Sequence, residues 1–178
     1  MEIRTIAVIG AGAMGREVAR EALAAGYRVI LEDVLPDRLA AGREELHARL
    51  DGTAGAALST AASVDVACRE AEMVIDTLPE EVEMKIDVFC ILEKFARPGA
   101  VLATNARTIA VSEIAAVTTR QELCVGLHFR NGDAGRKLLE VVRGGRTAES
   151  TVDACRELGR RMGREVVVKS EAAAGTGT

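Results

Sequence analysis

The chain has 178 residues, enough to bury one core, and 27 acidic against 23 basic side chains give a formal net charge of −4. It contains no basic block and no apolar run of membrane-spanning length, which argues against a nucleic-acid surface and a transmembrane helix. Aromatic residues make up 2% of a sequence that is 48% hydrophobic, so the core has to come from Val, Ile, Leu and Ala, as where helices cover both faces of a parallel sheet.

The first predicted strand, about 3–9, runs into Gly10-Ala11-Gly12-Ala13-Met14-Gly15, which opens a helix over about 13–25 with Gly26 as its stop signal. A second strand, about 28–33, ends in Glu32-Asp33. Strand, glycine turn, helix and acid-ended strand together read as a dinucleotide site. Gly10 permits the tight turn, Gly12 the close approach of a pyrophosphate, and Gly15 the packing of helix on sheet. The backbone from Gly10 through Ala11, Gly12, Ala13, Met14 and Gly15 would hold the diphosphate at a helix N-terminus. Asp33 stands about 20 residues beyond the glycines, where an acid accepts hydrogen bonds from the adenine ribose. Two adjacent carboxylates and no obvious arginine disfavour a 2′-phosphate, so NAD is expected rather than NADP. FAD shares the fingerprint and stays as an alternative.

Pro36 starts a charged helix over about 37–50, with His47 on its surface. Residues 53–57 are small and glycine-bearing and read as a loop, 58–60 as a short strand and 65–69 as a brief helix. A buried strand over 73–77 is closed by Pro79, and a helix over 80–95 by Pro98-Gly99. Then come a strand at 101–104, a short helix at 111–117, strands at 123–128 and 138–142, an amphipathic helix at 148–162 and a last strand at 165–169. This alternation predicts an α/β, Rossmann-type doubly wound, mostly parallel sheet with helices on both faces. One domain is expected over 1–170, with 171–178 as a flexible tail. The opening strand begins almost at Met1, so no signal peptide is expected. Cys68, Cys90, Cys124 and Cys155 form no C-x-x-C pair and are expected as reduced, buried thiols in a cytoplasmic protein. Two histidines without clustered ligands argue against a metal site.

His128 ends an apolar strand, where an open α/β sheet places its ligand crevice, and is the residue type suited to take a hydroxyl proton near neutral pH. Glu140 stands on the neighbouring strand among Leu138, Leu139, Val141 and Val142, where a carboxylate needs a partner. The imidazole is one such partner. A solvent-facing His128 with Glu140 paired to Lys137 or Arg136 is the other reading.

Three segments carry a resemblance: Ala103-Thr104-Asn105, Gly126-Leu127-His128-Phe129-Arg130-Asn131, and Lys137-Leu138-Leu139-Glu140-Val141-Val142. With Thr77-Leu78-Pro79-Glu80 leading to Lys85, they resemble the NAD-binding domain of L-3-hydroxyacyl-CoA dehydrogenases, in order from about Ile3 to Lys169. The resemblance implies hydride transfer between NAD and a 3-hydroxyacyl-CoA, with His128 as general base and Glu140 as its orienter. It implies cofactor contacts at Glu80, Lys85 and Asn105, and at Asn131 beside the nicotinamide ribose.

The chain also departs from that pattern. Arg107 occupies the place of a serine that holds the substrate oxygen, with Thr108 one position along. A cation there can polarise a carbonyl, bind a carboxylate, or neutralise Glu140. His-Phe-Phe-Asn-Pro becomes His128-Phe129-Arg130-Asn131-Gly132. The segment between Asp33 and Met73 is shorter than the family's helical hairpin, and nothing matches the family's all-helical C-terminal domain. A small 3-hydroxy acid is therefore an alternative substrate, and a non-catalytic NAD(H)-binding module the rival function. A relative of 3-hydroxyisobutyrate or 6-phosphogluconate dehydrogenases is disfavoured, because no motif for their catalytic lysine appears. Self-association or a partner chain is expected to cover the face left by the missing domain.

Overall fold

The computed structural model describes residues 2–50, 52–131 and 135–171. Eight strands form one sheet in the order β3-β2-β1-β4-β5-β6-β7-β8. β1 (Thr5–Ile9), β2 (Arg28–Glu32), β3 (Leu58–Ala61), β4 (Met73–Asp76), β5 (Val101–Thr104) and β6 (Cys124–Asn131) are mutually parallel. β7 (Lys137–Arg143) turns back antiparallel on β6, and β8 (Glu165–Ser170) runs parallel to β7. The strand order reverses between β1 and β4, and a ligand crevice opens at such a switch point, above the carboxyl ends of the strands.

The helices are α1 (Ala13–Ala24), α2 (Pro36–Arg49), α3 (Gly52–Ala56), α4 (Val64–Cys68), α5 (Val82–Phe95), α6 (Val111–Ala115) and α7 (Glu149–Arg161). Two buried clusters show which face each helix covers. On one, Val18 and Ala22 of α1, Leu46 of α2 and Leu158 of α7 pack against Val8, Leu31 and Ile75. On the other, Ala67 of α4, Phe89 and Leu92 of α5 and Ile114 of α6 pack against Ala7, Val74 and Leu102. Each fully buried large apolar side chain contributes about 1.5–3 kcal/mol relative to exposure. Tyr27, beneath the guanidinium of Arg161, and Phe89 and Phe129 are the large aromatic pieces of this aliphatic core.

Helix α1 ends as its sequence predicts. Gly26 has φ +83°, its N–H donates to Leu23 O and that of Tyr27 to Ala22 O, a Schellman closure. The predicted loop at 53–57 is instead largely the short helix α3: its small residues cost little side-chain entropy in a helix and fit under α2, where a Cβ on Gly55 would come within 3.0 Å of His47 Nδ1. Helix α5 starts at Val82 rather than at Glu80, because Glu81 is still extended. Strand β6 runs past His128 to Asn131, since pairing with β7 extends it. Three of the four cysteines are buried, but Cys90 is exposed. Glu171, predicted as the start of a free tail, is bonded: its N–H donates to Arg143 O at 2.8 Å, and its carboxylate accepts from Ser112 N at 2.9 Å and Gly145 N at 3.1 Å. Gly132 of the polar loop and residues 172–178 lie outside the described residues. No helix among the described residues is long and apolar enough to cross a membrane.

Candidate active site

The last rungs of the parallel strands align Ala61, Glu32, Ile9, Asp76 and Thr104 across the sheet, with Gly126 following on β6. Residues just beyond this line meet at the crevice. Gly10 leaves β1 with φ +100°, a conformation that favours glycine. A Cβ on Gly15 would lie 1.8 Å from Gly10 O, so only glycine lets α1 close on the turn. At Gly12 nothing lies within 4 Å of the corresponding point, which leaves room for a ligand against the backbone. Helix α1 has no acid in its first turn and no side-chain cap. Its N–H groups and positive dipole end are therefore left without internal neutralisation, a setting that favours an anion. Ala11 is buried, Met14 half-buried and Ala13 exposed along this turn.

Asp33 fixes the turn as well as facing the crevice. Its Oδ2 accepts from Ala11 N and its Oδ1 from Leu35 N, each at 2.9 Å. A carboxylate has about four lone-pair sites, so two remain for a ribose diol. The sequence suggested no arginine here, yet Arg38 Nη1 stands 3.6 Å from Asp33 Oδ2. One turn into α2, Arg38 comes back over the acid, which a linear reading does not show. Beside it Glu32 is 1% exposed, and burial, then the Asp33 charge, push its carboxyl up to about 7. Its Oε1 is buried without a hydrogen-bond partner.

Beyond β5, the N–H of Asn105 donates to Asp76 O at 2.9 Å, while its side-chain Oδ1 is buried and unpartnered. Two residues expected on the cofactor are committed elsewhere. Lys85 is fully buried, its Nζ bonded to Asp76 Oδ2 at 2.9 Å and Leu78 O at 3.1 Å, with Thr104 Oγ1 donating to the same Asp76 oxygen at 2.8 Å. It neutralises a carboxylate beneath the crevice floor. Glu80 Oε1 accepts from Arg107 N and Thr108 N at 2.8 Å each, and from Thr108 Oγ1 at 3.1 Å. Burial acts to raise the Glu80 carboxyl, but these backbone bonds outweigh it and hold it below the usual range. Glu80 thus ties the loop after β5 to the loop after β4.

His128 and Glu140 are cross-strand partners in the β6–β7 register, on one face of the sheet, with His128 Nδ1 3.7 Å from Glu140 Oε2. The ring's Nε2 donates to Ala106 O. Glu140 has more company than the sequence suggested. Lys169 Nζ lies 2.7 Å and Arg130 Nη1 3.1 Å from its Oε1, and these cations, Lys169 foremost, hold its carboxyl below the usual range against the opposing effect of burial. Neither Arg107 nor Lys137 neutralises it. Lys137 pairs with Glu21 at 2.8 Å, and Arg164 joins the same acid at 2.6 Å, pinning the hairpin to α1. Alternation along β6 sets Asn131 on the face opposite His128, exposed at the strand end.

A cavity of about 340 Å³ opens beside His128, lined by Arg107, Thr108, Val111, Glu113 and Glu171 among others. Arg107 and Thr108 are exposed on its rim. Sequence reasoning missed Arg38, Arg130, Lys169 and Glu171. Alternation along the last strand puts Lys169 on the Val167 face, and Val167 is the β8 partner of Glu140, but only the β7–β8 register reveals that pairing.

The open space at Gly12, the uncapped α1 terminus, the Asp33 carboxylate and the orphaned Asn105 oxygen fit a dinucleotide, from diphosphate to ribose to carboxamide. Comparison with known proteins agrees. The family model "3-hydroxyacyl-CoA dehydrogenase, NAD binding domain" matches residues 5–172. A probable 3-hydroxybutyryl-CoA dehydrogenase of Bacillus subtilis is 35% identical over 179 residues, covering 94% of this chain and 62% of the relative. The mitochondrial hydroxyacyl-coenzyme A dehydrogenase of Rattus norvegicus is 31% identical, covering 89% of this chain and 57% of that protein. The crystal structure of 3-hydroxybutyryl-CoA dehydrogenase from Escherichia coli superposes with a TM-score of 0.89 at 30% identity, over 97% of this chain and 39% of that one. The chain thus spans less than two thirds of the length of these relatives. It belongs to the 3-hydroxyacyl-CoA dehydrogenase NAD-binding domain family, and its cofactor is NAD.

Proposed function

We propose that this chain supplies the cofactor and acid/base half of an NAD-dependent dehydrogenase that interconverts a 3-hydroxyacyl-CoA and its 3-keto form. The observation that carries this is the His128–Glu140 couple, set opposite each other in the hairpin register at the carboxyl edge of the sheet. NAD, when bound, accepts or returns the hydride. The N-terminus of α1 holds the diphosphate, Asp33 the adenine ribose, and Asn105 Oδ1 accepts from the carboxamide end. In the reductive direction, a ring protonated on both nitrogens satisfies Ala106 O and Glu140 together and delivers the Nε2 proton to the nascent alkoxide. In the oxidative direction the ring has to break its bond to Ala106 O and carry its proton on Nδ1, toward Glu140, so that a bare Nε2 can take the hydroxyl proton. Glu140 stabilises the imidazolium so formed. Arg107 stands on the rim where a thioester carbonyl or a free carboxylate would arrive. We place the remaining acyl-CoA contacts on protein outside the described residues, a second copy or a partner chain; a strict monomer by light scattering, active alone, would overturn that part.

A second reading, a binding module without chemistry, is favoured by one observation: Glu140 is already neutralised by Arg130 and Lys169. The test follows NADH absorbance at 340 nm with acetoacetyl-CoA or acetoacetate. Oxidation with the thioester alone supports the dehydrogenase, and oxidation with the free acid redirects it to a small hydroxy acid. NADH binding with neither consumed leaves the module.

A further inference from the structure

Glu32 is a buried acid that the proposed mechanism does not use. The other buried acids among the described residues are bonded: Glu21 to Lys137 and Arg164, Asp33 to two backbone amides, Asp76 to Lys85 and Thr104, Glu140 to Lys169 and Arg130. Glu32 Oε1 is buried without a partner, a state it shares among the described residues only with Asn105 Oδ1. A buried oxygen left unpaired by the protein calls for an explanation, and an absent ligand is one. Asn105 belongs to the nicotinamide end of the crevice, so the two orphans sit toward its opposite ends.

We infer that Glu32 reads the adenine base of the dinucleotide, its Oε1 accepting a hydrogen bond from the exocyclic 6-amino group. The inference rests on the NAD site described above. Asp33 is placed at the adenine ribose, and the base hangs from that same ribose, so the neighbouring last-rung residues of β2 and β3 are those it meets. Along β2, Val29 and Leu31 belong to the α1 cluster and Ile30 to the α4–α5 cluster, so alternation sends Glu32 to the latter face. Its cross-strand neighbour there is Ala61, whose single methyl is a small flank for a flat base. Burial and Asp33 push its carboxyl to about 7, so at pH 8.5, where the binding test is run, Glu32 presents acceptor oxygens and no donor.

The test compares equilibrium binding of NADH and of its hypoxanthine analogue, in which a carbonyl oxygen replaces the 6-amino group. Binding is read at pH 8.5 by nicotinamide fluorescence for the wild type, E32Q and E32V, with a thermal melt of each to verify folding. The wild type should favour NADH by about tenfold, the scale of one such hydrogen bond. E32V should bring the ratio near one, and E32Q, whose amide can also donate to the hypoxanthine oxygen, should narrow or invert it. An E32V variant that keeps the wild-type preference, or a wild type that binds both equally, overturns the inference while leaving the NAD site intact. A wild type that binds neither dinucleotide overturns both.

Discussion

The glycine cradle and the His128 corner sit at the same edge of one sheet, yet their polar groups are used differently. In the cradle, partners are close in sequence: Ala11 and Asp33 are 22 residues apart, and the N-terminal amides of α1 face the crevice uncapped. At the hairpin, local and distant partners converge: Arg130 reaches Glu140 across 10 residues, Lys169 reaches it across 29, and Lys137 reaches Glu21 across 116. Little there is left unpaired for a ligand. The cradle is a site waiting for an anion, whereas the hairpin is a charge network into which a reacting group has to be exchanged.

Two buried supports hold the cradle in place. Lys85→Met leaves Asp76 a buried carboxylate without its counter-charge under the crevice, so a denaturant melt should show a loss of about 3–5 kcal/mol. Unchanged stability with weaker NADH binding would instead return Lys85 to the cofactor. Gly15→Ala drives a methyl into Gly10 O and should cost about 1–3 kcal/mol and abolish NADH binding, by melt and fluorescence titration. Unaltered binding would sink the account of the cradle.

Glu32 makes the cradle side of the crevice sensitive to pH. Its folded-state value, about 7, lies above the ordinary 4.5, so its contribution is fully present below pH 4.5 and is lost as pH rises through 7. Glu32→Gln should therefore be the more stable protein at pH 8, by up to about 3 kcal/mol, and converge on the wild type near pH 4. Equal stabilities at both pH values would contradict the burial argument. The smallest effect belongs to Lys169→Met. Glu140 is held below its ordinary range, so the stability it contributes is present above pH 4.5 and falls away on acidification through its lowered value. Removing Lys169 should move that acid limb to higher pH while leaving NADH affinity unchanged.

Much of the architecture was legible because it is local. Apolar runs marked the strands other than β3, which was read from a short Leu-Ser-Thr segment, and Gly26 and Pro36 marked a helix end and start. The short helix α3 was missed because small residues carry no periodicity; packing against α2 decides it. At the site, the glycines act through their own backbone and were readable without tertiary knowledge. Lys85 and Glu80 show the limit, because a side chain's partner depends on where two loops meet: both were expected on the cofactor, whereas Lys85 is bonded to Asp76 and Leu78 and Glu80 to the loop after β5. Lys169, Arg130 and Arg38 were invisible for the same reason, since strand register and a helix's return over the crevice are absent from linear spacing.

The most direct measurement is transient NADH oxidation at 340 nm with acetoacetyl-CoA for the wild type and His128→Gln, alongside the NADH dissociation constant of each. The two dissociation constants should lie within about twofold of one another, and the variant's rate should fall about 10²–10⁴-fold. A variant that turns over as fast as the wild type would contradict the acid/base role of His128.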